Sequence, residues 1–202
     1  MSEKCFASYL NGLDEKEYLI NMLTFNISPT IYGLKPSTLI TLSDKNKNLY
    51  TSWMKYGEEF LENLSINVLK LKQGEDYCVL LFYDKILLEK SIRNEKVQRF
   101  LSTLGYEVKE NLQNILQYLS FRYNIYNCPH EIGIFLGIPI EDVETFINCK
   151  DKECLACGYW KVYHNKELAL KTFNIYDASK QHTATLLMQG MDLGSICSTI
   201  KI

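Results

Sequence analysis
Side chains able to do chemistry concentrate between Cys128 and Tyr163, which reads CPHEIGIFLGIPIEDVETFINCKDKECLACGYWKVY and holds four of the seven cysteines. Cys149, Cys154 and Cys157 fall at C-x4-C-x2-C, the spacing of the first three ligands in plant-type [2Fe-2S] ferredoxins. A fourth ligand would have to come from Cys128 or Cys197. The residues between these cysteines lack the small, glycine-rich character that lets backbone amides reach cluster sulfurs. Cys154-x2-Cys157-Gly158 also reads as one knuckle of a zinc or rubredoxin site, to be completed by Cys149 with Cys128, His130 or His164. A thioredoxin-like redox pair opens a helix, whereas Gly158 to Tyr163 alternates like a strand. Cys128-Pro129 is also the dipeptide through which some proteins bind haem by thiolate.

His130 and Glu131 could form an acid/base or ligand pair, because histidine titrates near neutrality and a carboxylate tunes it. Neighbouring helical residues point about 100° apart, so one atom is poorly served by both. The plainer expectation is that Glu131 reaches back to cap a helix and His130 hydrogen-bonds across the fold. Trp160, Lys161 and Tyr163 supply a cation and aromatic faces. Alternation puts Tyr159, Lys161 and Tyr163 on one side and Trp160 with Val162 on the other.

The elements that must position these residues follow from periodicity. Residues 14 to 24 form an amphipathic helix behind acidic residues, with Tyr18, Leu19, Met22 and Leu23 on its face. SPTIYGLKPSTLITL, punctuated by Pro29, Gly33 and Pro36, reads as an ordered loop entering a strand at Ser37 to Leu42. Lys35 in that loop is a solvated lysine or a contributor to a binding surface. Asp44 to Leu64 carries Leu49, Trp53, Tyr56, Phe60 and Leu64 at helical spacing. Ile66 to Lys72 and Tyr77 to Tyr83 flank a Gly-containing turn as an antiparallel hairpin, whose second arm is apolar on both faces. Helices follow at Ile86 to Ser91, at NEKVQRFLSTLGY and at VKENLQNILQYLSFRYN, then at Pro129 to Leu136, Ile140 to Ile147 and Glu167 to Gln189. Met191 to Ile202 adds a short turn or helix before a frayed end.

The two helices around Gly137 resemble a helix-turn-helix. Glu141, Asp142 and Glu144 on the second would face a polyanion with negative charge, which argues against DNA. Composition agrees: 22 basic against 24 acidic residues give a formal charge of -2, so no nucleic-acid or anionic-membrane partner is expected. The N-terminal residues lack a signal-peptide apolar core, and no run of 18 apolar residues occurs. A cytoplasmic chain with reduced thiols is expected.

PTIYGLKPSTL, PHEIGIFLGIPIEDVETFI and CGYWKVY, in that order, resemble a family of small bacterial proteins, mainly from anaerobes, catalogued only as a domain of unknown function. The resemblance runs from about Tyr18 to Leu193. It implies a redox or iron context, with a flavodoxin-like or iron-uptake-related partner. Relatives carry His-Cys before the first proline and a cysteine in the late helix; here Asn26, Ile27 and Ser179 stand there, which weakens a metal site built from those positions.

Taken together, an α+β fold is expected, with a small antiparallel sheet of about four strands (Ser37 to Leu42, Ile66 to Lys72, Tyr77 to Tyr83, Gly158 to Tyr163) packed on several helices. Residues 1-202 form one domain, with a family-like core at 13-193 and a tail at 194-202. The leading functional expectation is a non-enzymatic accessory or binding protein in an iron or redox setting. Its surface would be His130, Glu131, Trp160, Lys161 and Tyr163, with Lys35. The second is a zinc or iron-sulfur protein using Cys149, Cys154 and Cys157 with Cys128. The third is an enzyme with His130 as acid/base.

Overall fold
Ten helices and five strands follow one another in the computed structural model, which describes residues 3–45, 47–149 and 151–199. In chain order they are α1 (Glu3–Asn11), α2 (Glu15–Ile31), β1 (Ser37–Ser43), α3 (Leu49–Glu62), β2 (Asn67–Gln73), β3 (Tyr77–Tyr83) and α4 (Lys85–Ile92). There follow α5 (Glu95–Thr103), α6 (Leu112–Tyr126), α7 (Ile132–Phe135), α8 (Ile140–Asn148), β4 (Ala156–Cys157), β5 (Lys161–Val162), α9 (Lys166–Met188) and α10 (Leu193–Thr199). The α+β class is as expected. The fourth strand is not in the main sheet, which has the antiparallel order β1-β3-β2, while β4 and β5 pair separately as a two-stranded ribbon. The turn residues Gly158, Tyr159 and Trp160 lie between the ribbon arms, so only Lys161–Val162 of the expected strand is extended and paired.

The apolar run of β3 divides two cores by simple alternation. Val79, Leu81 and Tyr83 pack with Leu71 against α4 to α8, whereas Cys78, Leu80 and Phe82 pack with α2, Phe60 of α3 and Leu193. Both faces are thus covered, as a strand without polar alternation requires. A bulge between Lys70 and Lys72 lets β2 slip one residue against β3. It drives Leu71 inward, and the Leu71 carbonyl receives bonds from Ser120 Oγ at 3.1 Å and Asn124 Nδ2 at 3.3 Å on α6. The ladder group lost at the bulge is thereby satisfied by the helix that covers it.

Two expectations change. Pro29 does not open a loop but lies inside α2. A proline removes the amide that would bond the carbonyl four residues back; that carbonyl, on Phe25, accepts the Ser28 hydroxyl at 2.8 Å. The N-terminal segment, to which periodicity assigned no element, forms α1, whose Phe6 and Leu10 pack on Ala184, Leu187 and Ile196. Much of the expected tail is α10, with Cys197 buried; residues 200 to 202 at its end lie outside the described residues.

Gly137 turns the chain between α7 and α8. Its φ is +79°, and a Cβ there would stand 2.7 Å from Pro36 Cδ, so glycine is required on both conformational and steric grounds.

Candidate functional site
The His130 and Trp160 segments meet around one groove. Its volume is about 400 Å³. Ile132, Gly133, Leu136, Ile138 and Val143 make an apolar floor; Phe146, Tyr159 and Trp160 make aromatic walls; and Cys128, His130 and Lys161, with the Asp142 carboxylate, bring the polar atoms. The His130 ring stands edge-on to Phe146 with centroids 5.2 Å apart, and Lys161 Nζ lies 5.8 Å from the same ring centroid. Phe146 is 40% exposed. An exposed aromatic ring beside an imidazole and an ammonium can offer apolar ring contacts together with hydrogen-bond donors.

Asp142 fixes that geometry, and its role was not anticipated. Read from the sequence as an acid offered to solvent, it is 2% exposed. Its carboxylate accepts from Trp160 Nε1 at 2.8 Å and from the backbone amides of Tyr163 at 2.9 Å and His164 at 2.8 Å. His164 Nδ1 lies 3.1 Å from the same carboxylate. One side chain of α8 therefore anchors the ribbon and orients the indole. Buried carboxylates are tolerated when donors saturate them, as here. Behind the ribbon, the Trp160 ring is edge-on to Phe173 at 4.5 Å. A Cβ on Gly158 would approach the Phe173 Cδ2 carbon to 2.5 Å, so the bare glycine lets the ribbon lie down on α9.

The other expected residues separate. Glu131 does not cap a helix: it is 3% exposed, ion-paired with Arg122 and bonded by the Tyr106 hydroxyl at 3.2 Å. Burial first, and then the Glu131 carboxylate, push the Tyr106 phenol well above its ordinary range, so it remains a donor. With Arg122, His130 and Glu131 line a second, larger groove of about 920 Å³, where Lys96 and Glu141 pair at 2.9 Å. Tyr163 is buried beneath the ribbon and lines neither groove.

Lys35 also stands apart, its Nζ 5.9 Å from the Tyr176 ring centroid. Burial, and then the charge of Lys180, lower it from 10.5 to about 8. Between about pH 8 and 10.5 the unfolded chain holds this proton and the folded chain does not, so this residue makes stability rise with pH through that window. Lys35→Met is expected to stabilise the protein at neutral pH and to flatten that rise. Urea midpoints of both proteins measured across the window check it; parallel curves would count against the assignment.

The cysteines do not assemble as the ferredoxin-like spacing suggested. Cys154 and Cys157 are in contact, Sγ to Sγ 2.6 Å. Cys149 ends α8 and Cys128 lines the groove. Among the described residues no three His, Cys, Asp or Glu side chains are grouped to hold a metal ion. Nor, among those residues, is any helix long and apolar enough to cross a membrane.

A family model described as protein of unknown function (DUF3793) matches residues 23–197. The chain belongs to this family. No curated protein and no solved structure matches it. The matched span begins within α2 and ends in α10, so the DUF3793 region includes the main sheet, the Asp142 anchor, the ribbon and both grooves.

Proposed function
We propose that this chain is a non-enzymatic binding protein. In this reading the groove between α8 and the β4-β5 ribbon takes a small ligand with a planar apolar body and one anionic group. The observation that carries the proposal is the meeting of His130, Phe146, Trp160 and Lys161 around a single apolar-floored groove of about 400 Å³. An apolar cavity with few convergent polar groups is the usual form of a small-molecule site. Phe146 and Trp160 offer ring faces and edges to a flat ligand, and Lys161 with His130 offers donors to its anion. Binding is favoured over acid/base chemistry because Glu131, the neighbour that would tune His130, is committed to Arg122 and Tyr106. An iron or redox setting, and a flavodoxin-like or iron-uptake-related partner, belong to the same proposal. The contact between Cys154 and Cys157 at the mouth of the ribbon supports the redox part.

Anilinonaphthalenesulfonate, a flat aromatic anion, is a suitable probe. Fluorescence titration of the folded protein is expected to show one saturable site. Lys161→Glu, an exposed change, should weaken binding about tenfold, or about 1.4 kcal/mol. Phe146→Asp should weaken it further. Unchanged affinity in both variants would remove the groove from consideration.

A further inference from the structure
The turn that opens the ribbon brings together two thiols that the groove does not use. Cys154 Sγ and Cys157 Sγ are 2.6 Å apart, with Cys157 exposed and Cys154 half-buried. The intervening backbone is held by the opposite arm. Leu155 N donates to the Val162 carbonyl at 2.7 Å, and Ala156 and Cys157 pair with Val162 and Lys161. The two sulfurs are therefore kept adjacent by hydrogen bonds already made. Among the described residues no third Cys, His, Asp or Glu joins them as a metal-binding group.

We infer that Cys154 and Cys157 form a reversible dithiol/disulfide site whose co-substrate is a low-molecular-weight disulfide. Cys157, the more accessible sulfur, attacks as thiolate one sulfur of that disulfide, forms a mixed disulfide and releases one small thiolate. Cys154 then loses its proton and attacks Cys157 Sγ, closing the protein disulfide and releasing the second small thiolate. The two protein thiols lose two electrons and two protons; the small disulfide gains both and leaves as two thiols. The reverse sequence, driven by excess small thiol, reopens the pair.

The site differs from thioredoxin-like pairs in its activation. A ribbon and not a helix follows it, so no helix N-terminus lowers a thiol. Hydrogen bonding with Cys154, then burial, hold the Cys157 thiol above its ordinary value, against a smaller downward pull from Lys161 across the ribbon. This describes a slowly exchanging site, not a fast oxidoreductase, and it does not depend on what the groove binds.

The test uses the full chain, assayed for metal as purified, then reduced, desalted anaerobically and exposed to oxidised glutathione at mildly alkaline pH. Intact mass and peptide mapping read the result. The expected product lacks the two thiol hydrogens, carries an internal Cys154–Cys157 cross-link and is restored by dithiothreitol. The other exposed cysteines, Cys5, Cys128 and Cys149, should carry at most glutathione adducts. Cys154→Ser should trap glutathione on Cys157. The inference is overturned if wild type keeps that adduct unresolved as the variant does, or if both thiols stay free. It is equally overturned if stoichiometric zinc or iron copurifies and is lost from Cys154→Ser.

Discussion

Replacing Asp142 by alanine is expected to lower stability by about 3 kcal/mol, since hydrogen bonds to a charged acceptor contribute about 1.5–3 kcal/mol each and are not additive. In a chain of this size that is a fall in Tm of roughly 6–12 °C. The change strips the partner from the Trp160 indole and from the backbone amides of Tyr163 and His164. All three are donors, so they must find water or remain unpaired. Asp142→Asn separates the parts of this effect. An amide oxygen can still accept from the two backbone amides, but its NH2 would then face the indole N–H, donor against donor. Asparagine should therefore retain more stability than alanine while losing the orientation of Trp160 and with it the groove. Thermal unfolding followed by circular dichroism, together with anilinonaphthalenesulfonate binding, distinguishes the variants. An alanine variant within about 0.5 kcal/mol of wild type, the range of an ordinary surface change, would contradict the anchoring role.

Glu131→Ala should cost about as much or more, about 3–5 kcal/mol, because it leaves a largely buried guanidinium without its counter-charge. Arg122 pairs with Glu131 and also lies 4.9 Å from the centroid of Tyr126 and 5.8 Å from that of Tyr106. The double replacement Arg122→Met with Glu131→Leu removes both charges and keeps volume, so it should recover much of the loss. Urea midpoints for Arg122→Met alone, Glu131→Leu alone and the double give the coupling between the sites. Purely additive losses would mean that the pair does not act as one unit. The consequence for function is positional: Glu131 and Arg122 fix the short segment that carries Cys128 and His130 to the groove, so His130 should lose its register with Phe146 in the single variants.

What the sequence made legible was local. The hairpin with its Gly-containing turn, the two-faced β3 and the amphipathic helices depend on spacing over a few residues, and they appear where spacing puts them. Pro29 misled because its helical tolerance depends on a side chain: Ser28 supplies the bond to Phe25 that the proline amide lacks. The Gly158 to Tyr163 run alternates like a strand, yet its partner is the Ala156–Cys157 arm just before it and not the main sheet. Alternation reports which residues share a face, but carries no information about which edge will accept the strand.

The site divides in the same way. His130, Trp160 and Lys161 could be nominated by type and do share a groove. Asp142 could not be nominated as an anchor, because its partners lie 18 to 22 residues away and an acid on a short helix looks solvated until the ribbon folds over it. Its neighbour Val143 faces inward, but adjacent helical positions point about 100° apart, so spacing alone did not mark Asp142. The cysteine spacing behaved oppositely. It suggested a three-ligand set, whereas the end of α8 and the ribbon turn bring only Cys154 and Cys157 into contact among the described residues.

The central claim is that the groove between α8 and the ribbon binds a flat anionic ligand. The most direct measurement is an amide and indole N–H correlation spectrum recorded while anilinonaphthalenesulfonate is added. The protein has two tryptophans, and Trp53, packed edge-on against Phe60 and Phe82 in the other core, is the internal control. The expected result is a saturable shift of the Trp160 indole and of the Gly133 amide with Trp53 unmoved. Shifts confined to Trp53, or to the residues of the larger groove around Arg99 and Tyr126, would contradict it.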